Sequence, residues 1–230
     1  MNSQNFLRIS ASRERIPLGV LGVALLLLCT SFTTIRAAWA DALPQKSPPF
    51  ESDGAALSRT PSLPVIRVAP DFILLNTVNQ PVHLSDLRGQ VVLISFIYTS
   101  CTSACPLLTA RMSALWGRLK RDGAAARQVR FLSITVDPAR DSAAALERYV
   151  KRFKADPARW SFLREERQKL QPVLAAYDEW TRPQPDGEID HPARLYLIDR
   201  RGRLREIYSI SFFDERQAFL DIQALLHQSP

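Results

Sequence analysis

Two cysteines separated by three residues are the part of this 230-residue chain best suited to chemistry. Cys101 and Cys105 follow the apolar run VVLISFIY at 91–98 and precede an amphipathic segment. If the segment is helical, a spacing of four places both sulfurs on one face, and a helix N-terminus lowers the pKa of a thiol. Two thiolates form a soft chelator that favours Cu(I), and they can also cycle between dithiol and disulfide.

His191 is the third candidate for the site, because it directly precedes an apolar run at 195–198. If that run forms the strand beside 91–98, the loop before it overhangs the cysteine turn. A set of two thiolates and one imidazole suits three-coordinate Cu(I), or Cu(II) with an added oxygen ligand. Asp190 is a candidate to orient the imidazole or to supply outer-shell charge. Asp137 is the nearby candidate for the fourth ligand that tetrahedral zinc requires, or for a docking surface.

Other functions of the cysteine pair stay open at this point. A disulfide that only staples a five-residue loop stabilises a fold by about 2 kcal/mol, and a staple is better placed between distant segments. A thiol–disulfide oxidoreductase is the main alternative to metal binding, although its usual spacing is C-x-x-C rather than C-x-x-x-C. A peroxiredoxin-like peroxidase is disfavoured because Tyr98 stands where that family has Thr or Ser. His83 and His227 are predicted to be surface residues.

Apolar runs that alternate with amphipathic segments predict an α/β domain around these residues. Five short runs are typical of strands, at 72–75, 91–98, 130–136, 195–198 and 204–210. Amphipathic segments predict helices that begin near 104, 142 and 166, and a closing helix containing Phe219, Ile222 and Leu226. Residues 181–190 are polar and proline-rich and are predicted to be a loop. This order predicts a mixed sheet with helices on both faces and function at the carboxyl ends of parallel strands, where Cys101 lies.

The N-terminus has the parts of an export signal. A basic start is followed by an apolar run from Leu18 to Cys29 and by the small-x-small triplet Ala38-Trp39-Ala40. Cleavage after Ala40 is one interpretation, and an uncleaved membrane anchor at 16–35 is the other, since that stretch is uncharged and about long enough to span a bilayer. Both interpretations place the rest of the chain on the periplasmic side of the inner membrane.

The rest of the chain divides into a linker and one folded domain. Residues 41–64 contain five prolines and predict a semi-rigid linker, which leaves a domain at 65–230. The formal net charge of +7 falls to +4 when residues 1–40, with four Arg and one Glu, are removed. The remaining basic residues are scattered along the chain, which favours a solvated surface over nucleic-acid binding.

Three separated motifs resemble the Sco/SenC family of thioredoxin-like copper proteins. They are FIYTSCTSACP at 96–106, SITVDPARD at 133–141, and the pair Asp190-His191 followed by YLID at 196–199 and Gly202. The stretch LSDLRG at 84–89 also resembles the family's sequence before the main strand. The resemblance covers about 68–228, which is essentially the whole predicted domain.

The resemblance implies a thioredoxin fold that binds one copper per chain through Cys101, Cys105 and His191, with a Cys101–Cys105 disulfide when oxidised. It further implies a role in maturing a copper centre, as copper donor, thiol reductant or both. A copper donor is a metallochaperone, which binds and delivers copper rather than turning over a substrate. The implied recipient is the copper centre of cytochrome c oxidase subunit II or another exported acceptor, with a thiol–disulfide reductant as a second partner. Two positions depart from the family pattern, which often has Pro at position 102 and a small residue at 192, where this chain has Thr102 and Pro192.

Overall fold

The computed structural model describes residues 61–228. The predicted leader at 1–40 and residues 41–60 of the predicted linker lie outside the described residues. Between residues 61 and 228, no helix combines the length and apolar character needed to cross a membrane.

Ten strands and five α-helices make up the described domain. The strands are β1 (Arg67–Val68), β2 (Ile73–Asn76), β3 (Pro81–His83), β4 (Val91–Ile97), β5 (Val129–Thr135), β6 (Trp160–Arg164), β7 (Arg182–Pro183), β8 (Ile189–Asp190), β9 (Arg194–Ile198) and β10 (Arg203–Ser209). The α-helices are α1 (Ala104–Arg121), α2 (Gly123–Arg127), α3 (Ala143–Arg152), α4 (Arg167–Ala176) and α5 (Glu215–His227), and a 3₁₀ turn covers Ser85–Leu87.

The main sheet has the strand order β1-β10-β9-β4-β5-β6-β2-β3. The strand β4 runs parallel to β5 and antiparallel to β9, and β5 runs parallel to β6. All seven residues of β4 are buried, as expected for a central strand that is apolar on both faces. The run at 195–198 thus forms the strand beside 91–98, which was the condition for His191 to overhang the cysteine turn, and the pairing carries residue 191 toward the end of β4.

Helices cover both faces of the sheet, as the sequence predicts. On one face Trp116 of α1 packs edge-on against Phe131 of β5, with ring centroids 5.6 Å apart. On the other face Tyr177, directly after α4, packs against Phe96 of β4 at 5.7 Å. Ser142 caps α3, whose start near 142 the sequence predicts, because its Oγ accepts the N–H of Ala145 at 3.2 Å.

The structure adds elements that the sequence pattern does not predict. Residues 160–164 form β6, an interior strand, and β1 and β3 lie at the two ends of the sheet. The predicted loop at 181–190 is wrong in part, because its two ends pair as the small antiparallel hairpin β7–β8. Of the two histidines predicted to be surface residues, His83 is half-buried in β3 and His227 is exposed at the end of α5.

Candidate metal site at the carboxyl end of β4

The two cysteines lie in the turn between β4 and α1 and are both buried free thiols. Cys105 is the second residue of α1, and its backbone N–H donates to Cys101 Sγ at 3.3 Å. Ser103, the residue that precedes the helix, forms no side-chain capping bond. The sulfur of Cys101 therefore takes the place of a capping oxygen, at the positive end of the helix dipole.

The environment separates the acidities of the two thiols. A hydrogen bond from the Cys105 thiol, together with backbone N–H groups of Cys105 and Ser103, lowers the pKa of Cys101 to about 5 against the opposing effect of burial. Donating that bond, and burial, raise the pKa of Cys105 well above its usual value. At neutral pH the pair holds one proton, with Cys101 as the thiolate and Cys105 as the thiol.

The loop before β9 places His191 against the cysteine turn. Its Nε2 lies 3.9 Å from Cys105 Sγ, and its side chain is only 4% exposed. The edge of its ring meets Tyr98, the residue after β4, with ring centroids 5.7 Å apart. This sulfur–nitrogen distance is shorter than the sum of a metal–sulfur bond of about 2.3 Å and a metal–nitrogen bond of about 2.0 Å, so one ion can contact both atoms. The donor chemistry and the spacing of this pair fit a soft metal ion.

Glu179 lies behind the imidazole. Its fully buried carboxyl places Oε2 3.6 Å from His191 Nδ1, just beyond hydrogen-bond length, and neither atom has another partner among residues 61–228. The hydroxyl of Tyr196 lies 2.8 Å from Glu179 Oε1 and 2.5 Å from the carbonyl of Tyr177, so one proton faces two acceptors. Burial raises the pKa of Glu179, and hydrogen bonding to His191 and Tyr196 opposes that rise. This arrangement keeps Nε2 of His191 facing the thiols.

The hairpin β7–β8 is tied to the cysteine turn by Glu188. The Tyr98 hydroxyl donates to Glu188 and accepts the N–H of Ile189 at 3.1 Å. Thr102, which departs from the family pattern, donates its hydroxyl proton to the other oxygen of Glu188 at 3.1 Å. Glu188 therefore links the end of β4, the loop between the cysteines and the segment that leads into His191.

The structure places the two predicted aspartates away from the thiol–imidazole group. Asp137 is buried and forms an ion pair with Arg140, whose guanidinium also donates to the Gly187 carbonyl at 2.6 Å. Asp137 thus supports the hairpin that leads into His191. Asp190 has a half-exposed carboxylate 4.0 Å from Arg182, and the carboxyl that faces the imidazole is that of Glu179.

The described residues present a partly assembled donor set. No group of three His, Cys, Asp or Glu side chains between residues 61 and 228 stands at metal-ligand spacing. Cys105 and His191 face one another, and Cys101 is hydrogen-bonded to Cys105. Nothing in the local sequence pattern singled out Glu179 or Glu188 as supports for this group.

The family model for SCO1/SenC proteins matches residues 62–227, well over half of the chain. The chain belongs to the SCO1/SenC family. The resemblance found in the three sequence motifs is thereby confirmed.

Individual relatives agree with this assignment. The chain is 28% identical over 141 residues to the SCO1 protein homolog of Bacillus subtilis, covering 60% of this chain and 72% of the relative. It is 28% identical over 144 residues to a putative copper-binding protein of Stutzerimonas stutzeri, covering 62% of this chain and 70% of the relative. The structure of Bradyrhizobium japonicum ScoI with copper bound matches with a TM-score of 0.60 and 27% identity, over 69% of this chain and 99% of that one. The predicted thioredoxin-like mixed α/β fold is confirmed by this structural match.

Proposed function

We propose that this SCO1/SenC protein is an exported copper metallochaperone that holds one copper through Cys101, Cys105 and His191. The single observation that carries the proposal is the 3.9 Å approach of His191 Nε2 to Cys105 Sγ, at a turn that also holds Cys101. The solved ScoI structure with copper bound and the relative named as a putative copper-binding protein support the choice of metal. Two thiolates favour Cu(I), and Cu(II) would take an added oxygen ligand.

Each side chain has a distinct part in holding the cargo. Cys101 offers a thiolate at neutral pH, because its pKa lies at about 5. Cys105 releases its proton when it binds, so loading lowers the number of bound protons by one. His191 offers the Nε2 lone pair, while Glu179 faces Nδ1 and fixes the orientation of the ring. The incoming donors of an acceptor protein then replace the three ligands one at a time.

The acceptor we propose is the copper centre of cytochrome c oxidase subunit II, reached from the periplasmic side of the inner membrane. The family assignment supports this, and so does the N-terminal sequence pattern, which is typical of an export signal. The loaded form needs both thiols reduced, since a Cys101–Cys105 disulfide has no thiolates to offer. A thiol–disulfide reductant is therefore the second expected partner.

The binding proposal is tested by titrating the reduced full chain with Cu(I) against a chromophoric chelator. We expect one tightly held copper per chain, loss of tight binding in Cys101→Ala and in Cys105→Ala, and weaker binding in His191→Ala. His227→Ala is the matched control, because His227 is an exposed histidine at the end of α5. Copper retained at wild-type affinity in both cysteine variants would contradict the proposal.

Delivery is tested by mixing the copper-loaded chain with the metal-free soluble domain of subunit II. We expect the copper to be found on subunit II after the two proteins are separated under anaerobic conditions, with the thiols of Cys101 and Cys105 still reduced at the end. Copper that stays on the loaded chain would refute delivery while leaving binding intact.

Thiol–disulfide exchange is a second candidate function, favoured by the low pKa of Cys101 beside the protonated Cys105. The Cys101 thiolate attacks a substrate disulfide, forms a mixed disulfide and releases one substrate thiolate. Cys105 loses its proton and attacks Cys101 Sγ, which forms the Cys101–Cys105 disulfide and releases the second thiolate, so two electrons pass to the substrate. Under this function, Cys105→Ala accumulates a mixed disulfide with oxidised subunit II, and the absence of that adduct would argue against it.

A further inference from the structure

Two arginines border a cleft beside the cysteine turn. Arg148 and Arg152 lie one helical turn apart on α3, so their side chains share a face. With Thr99, Ala145 and Tyr149 they line a cavity of about 190 Å³. Thr99 follows β4 and lies two residues before Cys101, so the cleft opens at the same end of the sheet as the thiols.

The charge of this arginine pair is not neutralised within the described domain. Neither Arg148 nor Arg152 forms an ion pair with any residue between 61 and 228. Glu147, their neighbour on α3, pairs with Lys151 at 2.8 Å. The Arg152 guanidinium lies over the ring of Phe153, 5.6 Å from its centroid, a contact that leaves its hydrogen-bond donors available.

The buried acid behind the cleft is fully occupied by other groups. Asp141 accepts hydrogen bonds from the backbone N–H and the hydroxyl of Thr99 and from the hydroxyl of Thr135. Its residue surface is only 1% exposed, and burial raises its pKa. Asp141 therefore holds the cleft wall in place, and the cleft presents a positive surface to solvent.

The wall of the cleft is connected to the cysteine turn by hydrogen bonds. The Tyr149 hydroxyl donates to Thr109 Oγ1 at 2.9 Å, and the Thr109 hydroxyl donates to the Cys105 carbonyl at 2.8 Å. Both groups are buried, so the chain of bonds is shielded from water. A group seated between the arginines is thus held beside the cysteine turn by ordered structure.

We infer that Arg148 and Arg152 form a docking cleft for a carboxylate-bearing segment of the protein that exchanges copper or electrons with Cys101 and Cys105. The inference rests on the proposed function, because it assigns a recognition surface to the partner of that same site. Two exposed guanidinium groups with free donors match carboxylates in charge and in hydrogen-bond geometry. A partner that docks an acidic loop here presents its own donor or disulfide to the adjacent turn.

The test uses peptide disulfides that differ only in charge. The reduced full chain is oxidised, at low ionic strength, by an excess of the symmetrical disulfide of Ac-Glu-Cys-Glu-NH2 or of Ac-Gln-Cys-Gln-NH2, and free thiols are counted over time. We expect the acidic peptide to react about fivefold faster than the neutral one, the size expected for two solvent-exposed charge pairs. The preference should vanish in the double variant Arg148→Gln/Arg152→Gln and shrink at high salt.

Two further variants separate docking from general charge effects. Arg148→Lys/Arg152→Lys keeps both charges and should keep most of the preference. Lys120→Gln/Arg121→Gln removes two exposed charges at the far end of α1 and should leave it unchanged. Equal rates for the two peptides, or a preference that survives Arg148→Gln/Arg152→Gln, would overturn the docking cleft. Copper affinity, measured on the same variants, should not change, so failure of copper binding and failure of docking are told apart.

Discussion

The pH dependence of Cys101 alkylation follows directly from the geometry of the cysteine turn. The Cys105 thiol and two backbone N–H groups stabilise the Cys101 thiolate and lower its pKa from 9.0 to about 5. Cys105 shows the opposite shift, so it stays protonated and unreactive over the same pH range. We therefore expect alkylation of the reduced chain to occur first at Cys101 and to titrate near pH 5.

The alkylation rate of Cys101 depends on two opposing effects, the fraction of thiolate and the nucleophilicity of that thiolate. At pH 6 a thiol with a pKa of about 5 is about 90% ionised, whereas an ordinary thiol with a pKa of 9.0 is about 0.1% ionised, an advantage of about 900-fold. A thiolate with a pKa lower by about four units is about 40 to 100 times less nucleophilic. The net expectation is a rate about 10 to 20 times that of an ordinary thiol at pH 6 and a rate close to it at pH 7.

The pH dependence of the Cys101 alkylation rate therefore reports the lowered pKa better than the rate at neutral pH does. The full chain is treated briefly with iodoacetamide between pH 4 and pH 9, and the modified positions are read from fragment masses that separate Cys101 from Cys105. We expect the Cys101 rate to level off above about pH 6. In Cys105→Ala, which removes the principal stabilising hydrogen bond, the midpoint should rise by more than about one pH unit.

Two results would refute this reasoning. One is a wild-type rate that rises tenfold per pH unit through neutrality, as for an ordinary thiol. The other is a midpoint that Cys105→Ala leaves unchanged. Cys105→Ser, which keeps a hydroxyl donor at the same position, should fall between the wild type and Cys105→Ala.

Three other expectations follow from the site and the core. Glu179→Gln should weaken Cu(I) binding about 10- to 100-fold in a chelator competition, because the buried carboxyl orients the imidazole. Asp190→Asn should change the Cu(I) affinity less than about twofold, because that carboxylate is largely solvent-screened. Equal effects of the two changes would contradict Glu179 as the carboxyl that orients the imidazole. Tyr98→Phe should speed amide hydrogen exchange at Ile189 about tenfold by removing the hydroxyl that its N–H binds, and unchanged exchange would contradict that role. Phe131→Ala should lower the free energy of unfolding by about 3 to 5 kcal/mol in urea denaturation, and a loss below about 1 kcal/mol would show that the α1 contact does not anchor the core.

The elements with strong local patterns could be predicted from the sequence. The central strands β4 and β5 consist mostly of β-branched and other apolar residues, and the buried face of α1 repeats at helical spacing. The strand β6 was missed because Trp160–Arg164 is short, follows a polar turn and alternates only partly. The hairpin β7–β8 consists of two-residue strands in a proline-rich segment, where pairing depends on anchors in other elements rather than on local propensity.

The residues of the candidate site also divide into those that local sequence predicts and those that depend on contacts between distant segments. Cys101 and Cys105 share a short motif, and the predicted neighbour relation between β9 and β4 placed His191 beside them. Glu179 is a single glutamate whose burial depends on Tyr196 of β9, a contact between segments that no local pattern encodes. The interpretation of Asp190 as the orienting carboxylate rested on adjacency in sequence, and its position next to Arg182 shows why adjacency was insufficient.

X-ray absorption spectroscopy of the Cu(I)-loaded full chain, beside His191→Ala, identifies the atoms bound to copper. We expect two sulfur ligands and one nitrogen ligand in the wild-type chain, with the nitrogen lost or replaced in His191→Ala. A first shell of sulfur alone in the wild type, or a spectrum that His191→Ala leaves unchanged, would contradict a site built from Cys101, Cys105 and His191.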